Sequence, residues 1–219
     1  MSPAVIQLLV LAAIAVFLIM RLKGVLGTRD GFEPKVDRPE TASKPNKPSF
    51  EVIEGGLDRD IIDHVEMDSR AGQAFAKMKK IEPSFSVGEF LDGARQAYEM
   101  ILMAFESDDL DTLKKFLSDD VYDSFASVIA DRQKAGLKVN ATFVGVREMK
   151  ITGAKFNGRS KDGEITMRFV GEVVSYVEDA KGKIIEGNRD VIKRQVDTWS
   201  FGRKFGSDDP NWALVATGG

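Results

Sequence analysis

The stretch that decides the fold is "SFSVGEFLDGARQAYEMILMAFESDDL", Ser84 to Leu110. Ser86 and Glu89 have the spacing of a capping box, in which hydroxyl and carboxylate satisfy N–H groups that the first turn of a helix leaves free. Phe85 and Phe90 occupy the positions of a hydrophobic staple. Phe90, Leu91, Ala94, Ala97, Tyr98, Ile101, Leu102 and Phe105 then recur at helical spacing and make one broad apolar face. Such a face must pack on a second layer. A short helix follows with Leu110, Leu113, Phe116 and Leu117 inward. A longer one runs from about Asp119 to Ala135, with Val121, Tyr122, Phe125, Val128, Ile129 and Arg132 on one side and Gly136 ending it. Arg132 either caps a buried carboxylate or snorkels outward.

Past Gly136 the period changes from helical to alternating. Ile165, Met167, Phe169, Gly171 and Val173 fall on one face, and Thr166, Arg168 and Glu172 on the other, as in a long antiparallel strand. "VNATFVGVREMKITGAKF" precedes it and "RDVIKRQVDTWSFGRKF" follows, with turn signals at Asn157-Gly158, Asp162-Gly163 and Lys181-Gly182. Near Val196 to Trp199 the inward face changes parity, which predicts a bulge. "WALVAT" is the last strand, joined to its partner by "GSDDPN". Helices first and strands second predict an α+β layer fold, with the helices on the concave face of a curved antiparallel sheet.

Upstream, "AVIQLLVLAAIAVFLIM", Ala4 to Met20, has one polar residue, Gln7, and as a helix would be about 25 Å long, close to the hydrocarbon thickness of a bilayer. It lacks the basic leader and small-residue cleavage site of a signal peptide. Residues 4–22 are therefore expected to form a single transmembrane anchor. The flanking Arg21, Lys23 and Arg29 leave the remainder on the cytoplasmic side of a bacterial inner membrane, or on the matrix side in a mitochondrion. Residues 23–69 read as an acidic, Pro-rich linker. It holds Pro34, Pro39, Pro45 and Pro48, and between Asp30 and Ser69 eleven acidic residues face five basic ones. Within it Leu57, Ile61, Ile62 and Val65 are helix-spaced, a candidate segment for docking on a protein partner. Residues 70–219 carry 23 basic and 23 acidic side chains and form the folded domain.

Several classes of chemistry are disfavoured. A net charge of -3 and the lack of any nucleic-acid motif leave no attraction for phosphate backbones, so no nucleic acid is expected. Zero cysteines remove disulfides, thiol nucleophiles and Cys-based metal sites. His64, the single histidine, precedes the domain, so a His-dependent acid-base site inside it lacks its usual residue. Asp119-Asp120 and Asp208-Asp209 sit where a helix or a turn needs a cap. The sequence thus predicts no enzyme, no cofactor and no metal.

The order "FLDGARQAYEMILMAF", "LSDDVYDSFASVIADRQKAG", "FVGVREMKITGAKFNG", "MRFVGEVVS" and "DTWSFGRKFGSDDPNWALVAT" resembles the Tim44-like family, nearest to its bacterial, TimA-type branch of membrane-anchored adaptors. The most specific part is Trp199-x-Phe201-x-Arg203 followed by Ser207, Asp209, Pro210, Asn211 and Trp212. The resemblance implies a cystatin- or NTF2-like fold, a hydrophobic pocket between helices and sheet, and a non-enzymatic tethering role at an energy-transducing membrane. In mitochondrial relatives the domain contacts cardiolipin-rich membrane and belongs to the import motor that recruits an Hsp70 chaperone. The resemblance covers the domain and not the long amino-terminal half used there for Hsp70 and channel contacts, so an adaptor role is expected to carry over better than chaperone recruitment. The implied partners are the membrane, proteins of chaperone, translocation or membrane-protein assembly type, and anionic phospholipid. Trp199 and Trp212 either close the core as neighbours across the last turn or, with Phe125, Ile129 and Phe201, line a pocket for an acyl chain or a partner's apolar side chain. The alternative reading is a small-molecule or lipid-binding pocket protein, with isomerase- or dehydratase-like chemistry as a variant.

Overall fold

The computed structural model describes residues 58–218. The expected anchor, its flanks Arg21, Lys23 and Arg29, and Leu57 lie outside the described residues. Five helices come first: α1 (Arg59–Ile62), α2 (Arg70–Ile81), α3 (Val87–Glu106), α4 (Leu110–Phe116) and α5 (Asp119–Lys134). Four strands follow: β1 (Lys138–Phe156), β2 (Asp162–Glu178), β3 (Ile184–Lys204) and β4 (Ala213–Gly218). They pair in sequence order as an antiparallel meander. The architecture is α+β, helices on a four-stranded sheet, as the switch of period at Gly136 predicts. Among the described residues no helix is long and apolar enough to cross a membrane.

α3 forms where the capping and spacing place it. The Ser86 hydroxyl accepts from Glu89 N–H at 3.2 Å, and Phe90, Ala94, Tyr98, Ile101 and Leu102 are buried along one side. Phe85 and Phe90 both pack on Trp212, with ring centroids 6.1 and 4.7 Å away, so the staple closes through a third ring. The inward face of β2 is the one read from alternation: Ile165, Met167 and Phe169 are fully buried and Val173 nearly so. The core is the layer between that face and α2–α3.

The structure adds to or departs from the sequence reading at four points. The acidic segment before residue 70 is not all linker, because α1 packs into the core with Ile61 only 1% exposed. α2 went unread; Ser69 caps it at Gly72 N–H, and Ala74, Phe75 and Met78 are its buried residues. Asp162-Gly163 is no turn: it opens β2, and the turn is Asn157 to Lys161, closed by Lys161 N–H on Asn157 O at 2.7 Å. The bulge is not at Val196 to Trp199, where β2–β3 pairing runs unbroken from Asp162 opposite Lys204 to Val174 opposite Ile192. Val196 points outward beside Val170, and Asp197 takes an inward position. Irregularities occur instead at three points along β1, on β3 opposite Val174–Tyr176 and opposite Val177–Glu178, and where Ser200 and Phe201 meet β4. Each extra residue bends its strand.

Candidate functional site

The five residues expected to line a pocket are core residues in two groups. Trp199 and Phe201 are inward neighbours on β3, 4% and 2% exposed, with rings 6.3 Å apart. Trp212 lies just before β4 and is half-buried. It reaches Phe201 through Phe90, whose ring is 4.7 Å from Trp212 and 6.1 Å from Phe201. The two tryptophans are therefore not cross-strand neighbours, since Trp199 pairs with Thr217. On α5, Ile129 is buried and Phe125 packs on Phe105, with centroids 4.8 Å apart. None of the five lines either of the two cavities described below.

Two of the four residues of the proposed docking segment, Ile61 and Val65, are taken up within the domain. Ile61 is in the core and Val65 packs against it, while Ile62 and His64 are exposed. What holds the segment is Asp60. Its carboxylate accepts from Val87 N–H (2.7 Å), Gly88 N–H (2.9 Å) and the Ser86 hydroxyl (2.9 Å), and pairs with Lys79 at 2.7 Å. Burial alone would raise its pKa, but the bonds from Lys79, Gly88, Val87 and Ser86 outweigh that and hold it well below the usual carboxylate range. Asp58 adds a second bond to Lys79 at 2.9 Å. The acidity read as linker character is thus a cap on α3.

Two other polar clusters tie helices to sheet. Tyr98, stacked on Phe169 at 4.4 Å, donates its hydroxyl proton to Asp197 Oδ2 at 2.6 Å, and Gln195 donates to the same oxygen at 2.8 Å. Burial, then the bond to Asp197, pushes the Tyr98 pKa far up, so the hydroxyl stays protonated. Asp197 is half-buried, and Tyr98 is fully buried over Gly171, where a Cβ would lie 2.5 Å from the tyrosine oxygen. Arg132 caps rather than snorkels: it donates to Phe105 O and to Asp108, and its guanidinium stands 5.1 Å from the Phe105 ring. Of the paired carboxylates, Asp209 caps its turn through Asn211 N–H at 2.9 Å, while Asp119 and Asp120 occupy the first turn of α5 without a side-chain cap bond.

The motif Trp-x-Phe-x-Arg has a structural basis at its third member. Arg203, whose side chain is 7% exposed, donates to Glu82 Oε1 at 2.7 Å and to Pro210 O at 3.1 Å, and lies over the rings of Phe205 and Trp212 at 4.4 and 5.4 Å. It fastens the β3–β4 turn to the α2–α3 junction.

One cavity, ≈ 380 Å³, opens where the C-terminal end of α3 faces β1 and β2; Met103, Glu106, Ser107, Ala141, Tyr176 and Arg189 are among its walls. The sequence reading missed it, because Glu106 reads as an ordinary last-turn residue and Arg189 as a strand residue. Burial, opposed by Arg132 and reinforced by Asp108 and Glu186, raises the Glu106 pKa. A second, shallower cavity of ≈ 360 Å³ lies by Gly163, Gly202 and Val215. Among the described residues no group of three or more His, Cys, Asp or Glu could hold a metal ion.

Three comparisons bear on this domain. The chain is 22% identical over 172 residues to the mitochondrial import inner membrane translocase subunit TIM44-1 of Arabidopsis thaliana, covering 77% of this chain and 36% of that protein. To the TIM44 subunit of Homo sapiens it is 20% identical over 159 residues, covering 71% and 35%. It spans about a third of the length of these relatives. Among solved structures, the intermembrane space region of chloroplast protein ARC6 overlaps 58% of this chain and 94% of its own at 12% identity, with a TM-score of 0.41. The Tim44-like domain pattern matches residues 71–219, two thirds of the chain and the whole of the layer from α2 to β4, and the chain belongs to that family.

Proposed function

We propose that this chain is a membrane-tethered adaptor of the bacterial, TimA-like kind, with a cystatin- or NTF2-like domain held beside the inner membrane. There it binds proteins of the chaperone, translocation or membrane-protein assembly machinery, and no nucleic acid. The observation that carries the reading is the family match over residues 71–219, whose named relatives are subunits of an import translocase. Two features agree with it. The apolar run Ala4 to Met20 supplies a single-pass anchor, with the domain on the cytoplasmic side, or on the matrix side in a mitochondrion. The conspicuous acid and tyrosine groups of the domain are spent on caps and ties, which suits a rigid scaffold better than a catalyst. Anionic phospholipid is a secondary partner, reached through Arg21, Lys23 and Arg29 at the membrane surface.

Crosslinking the full chain in its native membrane tests this. The expected result is a small set of proteins whose capture needs residues 58–219 and which stay with the membrane fraction after alkaline extraction. A chain found free of the membrane, or one whose captured proteins are the same when residues 58–219 are replaced by an unrelated domain, overturns the reading.

A further inference from the structure

Glu106 breaks two local rules at once. It stands in the last turn of the 20-residue helix α3, where the helix dipole disfavours negative charge, and that turn holds no basic residue. Its side chain is only 22% exposed, and no hydrogen bond to its carboxylate is found among the described residues. Its ionic contact, Arg132 Nη1 at 3.7 Å, belongs to a guanidinium already bonded to Asp108 and Phe105 O. A carboxylate withdrawn from water without a close partner is costly, and such local inconsistencies concentrate where a protein binds something. Burial raises its pKa, and the long contact to Arg132 offsets that only in part.

Its surroundings say what is missing. The cavity, ≈ 380 Å³, is at the small end of the range of about 300–1,000 Å³ that suits small ligands or a single side chain. The walls supplied by Met103, Val139, Ala141 and Val174 are aliphatic. Two more walls of the cavity, Ser107 and Asn140, carry acceptors. The Ser107 hydroxyl donates to Met103 O at 2.8 Å and keeps its lone pairs. Asn140 donates through Nδ2 to Glu178 at 3.3 Å, which leaves its carbonyl oxygen for a donor. At the rim Arg189 already lies 4.9 Å over the Tyr176 ring, paired with Glu178 at 2.8 Å, so its charge is spent there. One carboxylate with two neutral acceptors and aliphatic walls suits a three-donor cation on an apolar stem better than a metal ion, which needs several ligands.

We propose that this cavity is a binding site for a primary alkylammonium group, which seats its three N–H donors on Glu106, Ser107 and Asn140 and its methylene stem on Met103, Val139, Ala141 and Val174. The group comes either from a free alkylamine or from a lysine side chain of a bound protein. The site goes beyond the adaptor reading and does not depend on it.

The test uses the full chain with its methionine methyl groups labelled with carbon-13, kept in solution with a non-ionic detergent. It is titrated with n-hexylammonium chloride, with a short peptide carrying one lysine, and with n-hexanol as the uncharged counterpart. The expected result is a saturable shift of the Met103 methyl signal with a Kd of about 1 mM or tighter, while the buried Met78 and Met167 stay put and n-hexanol gives no saturation. Glu106→Gln weakens binding about tenfold or more. Should that variant fold poorly, Ala141→Leu narrows the cavity with Glu106 intact and abolishes the shift. Tighter binding of hexylammonium assigns a free amine, and tighter binding of the peptide assigns a protein lysine. Saturation by neither, equal saturation by n-hexanol, or indifference to both substitutions overturns the site.

Discussion

The Tyr98 hydroxyl reaches across the core from α3 to Asp197 on β3, 2.6 Å away, and passes so close over Gly171 that no Cβ fits beneath it. This relationship predicts a coupled pair of substitutions. Tyr98→Phe leaves Asp197 with Gln195 as its remaining donor and costs about 1–2 kcal/mol. Gly171→Ala drives a methyl into the tyrosine oxygen and costs about 1–3 kcal/mol by overpacking. Because removing the oxygen makes room for the methyl, the double variant is expected to lose less than the sum. Urea unfolding of all four proteins measures the coupling, and strict additivity would show that the close contact does not exist in solution.

Asp60 predicts a pH signature. Its folded pKa is depressed, so its contribution is present in full above the unfolded value of about 3.9 and is lost as pH falls through the lower folded value. Asp60→Ala removes a helix cap and the partner of Lys79, at a cost of about 1–3 kcal/mol near neutral pH. The gap in stability between the two proteins should stay constant from pH 7 to about pH 5 and close toward pH 2. A gap that persists unchanged to pH 2 would mean that the loss comes from packing and not from charge.

The same segment makes a prediction about boundaries. The family pattern begins at residue 71, whereas the core begins at Ile61. A chain started at residue 71 is expected to melt well below one started at residue 58. Ile61→Ala within the longer chain should cost about 2–4 kcal/mol, the usual penalty for an emptied core position. Equal melting temperatures for the two chains would show that α1 is a passenger.

What could be read from the sequence depended on whether a residue used its side chain in the usual way. α3 was legible because capping, staple and spacing all agree on one helix, and β2 because its inward face is apolar without exception from Ile165 to Phe169. The reading failed where a polar residue faces inward. Asp197 occupies a core-facing position that only a donor from another layer, Tyr98, makes tolerable, so Val196 and Trp199 seemed to require a bulge that the pairing does not contain. Asp58 and Asp60 looked like linker acidity because their partners, Lys79 and the α3 N–H groups, come 19 to 28 residues later. Trp199, Phe201 and Trp212 were recognisable as significant, but whether such residues fill a core or surround a cavity depends on how far apart the layers stand, which no local pattern encodes. The cavity at Glu106 was hidden for the same reason: its walls come from one helix end and three strands.

Arg203 provides the sharpest check on the family motif. Its guanidinium divides its donors between Glu82 and Pro210 O and lies over two rings, while its Nε stays buried without a partner, a cost that the other contacts must offset. Lysine keeps the charge but offers a point donor in place of a planar fork, so Arg203→Lys is not a conservative change at this position. It should keep at most one of the two bonds and lose the stacking, at a cost of about 2–3 kcal/mol. The loss falls on Trp212, whose ring Arg203 covers, and not on Trp199, which is buried against Tyr98 and Phe169. Acrylamide quenching separates the two: in the variant one class of tryptophan becomes readily quenched below the unfolding transition while the other stays protected. If both remain protected and stability is unchanged, the arginine does not hold the β3–β4 turn, and the motif must be explained by something outside the domain.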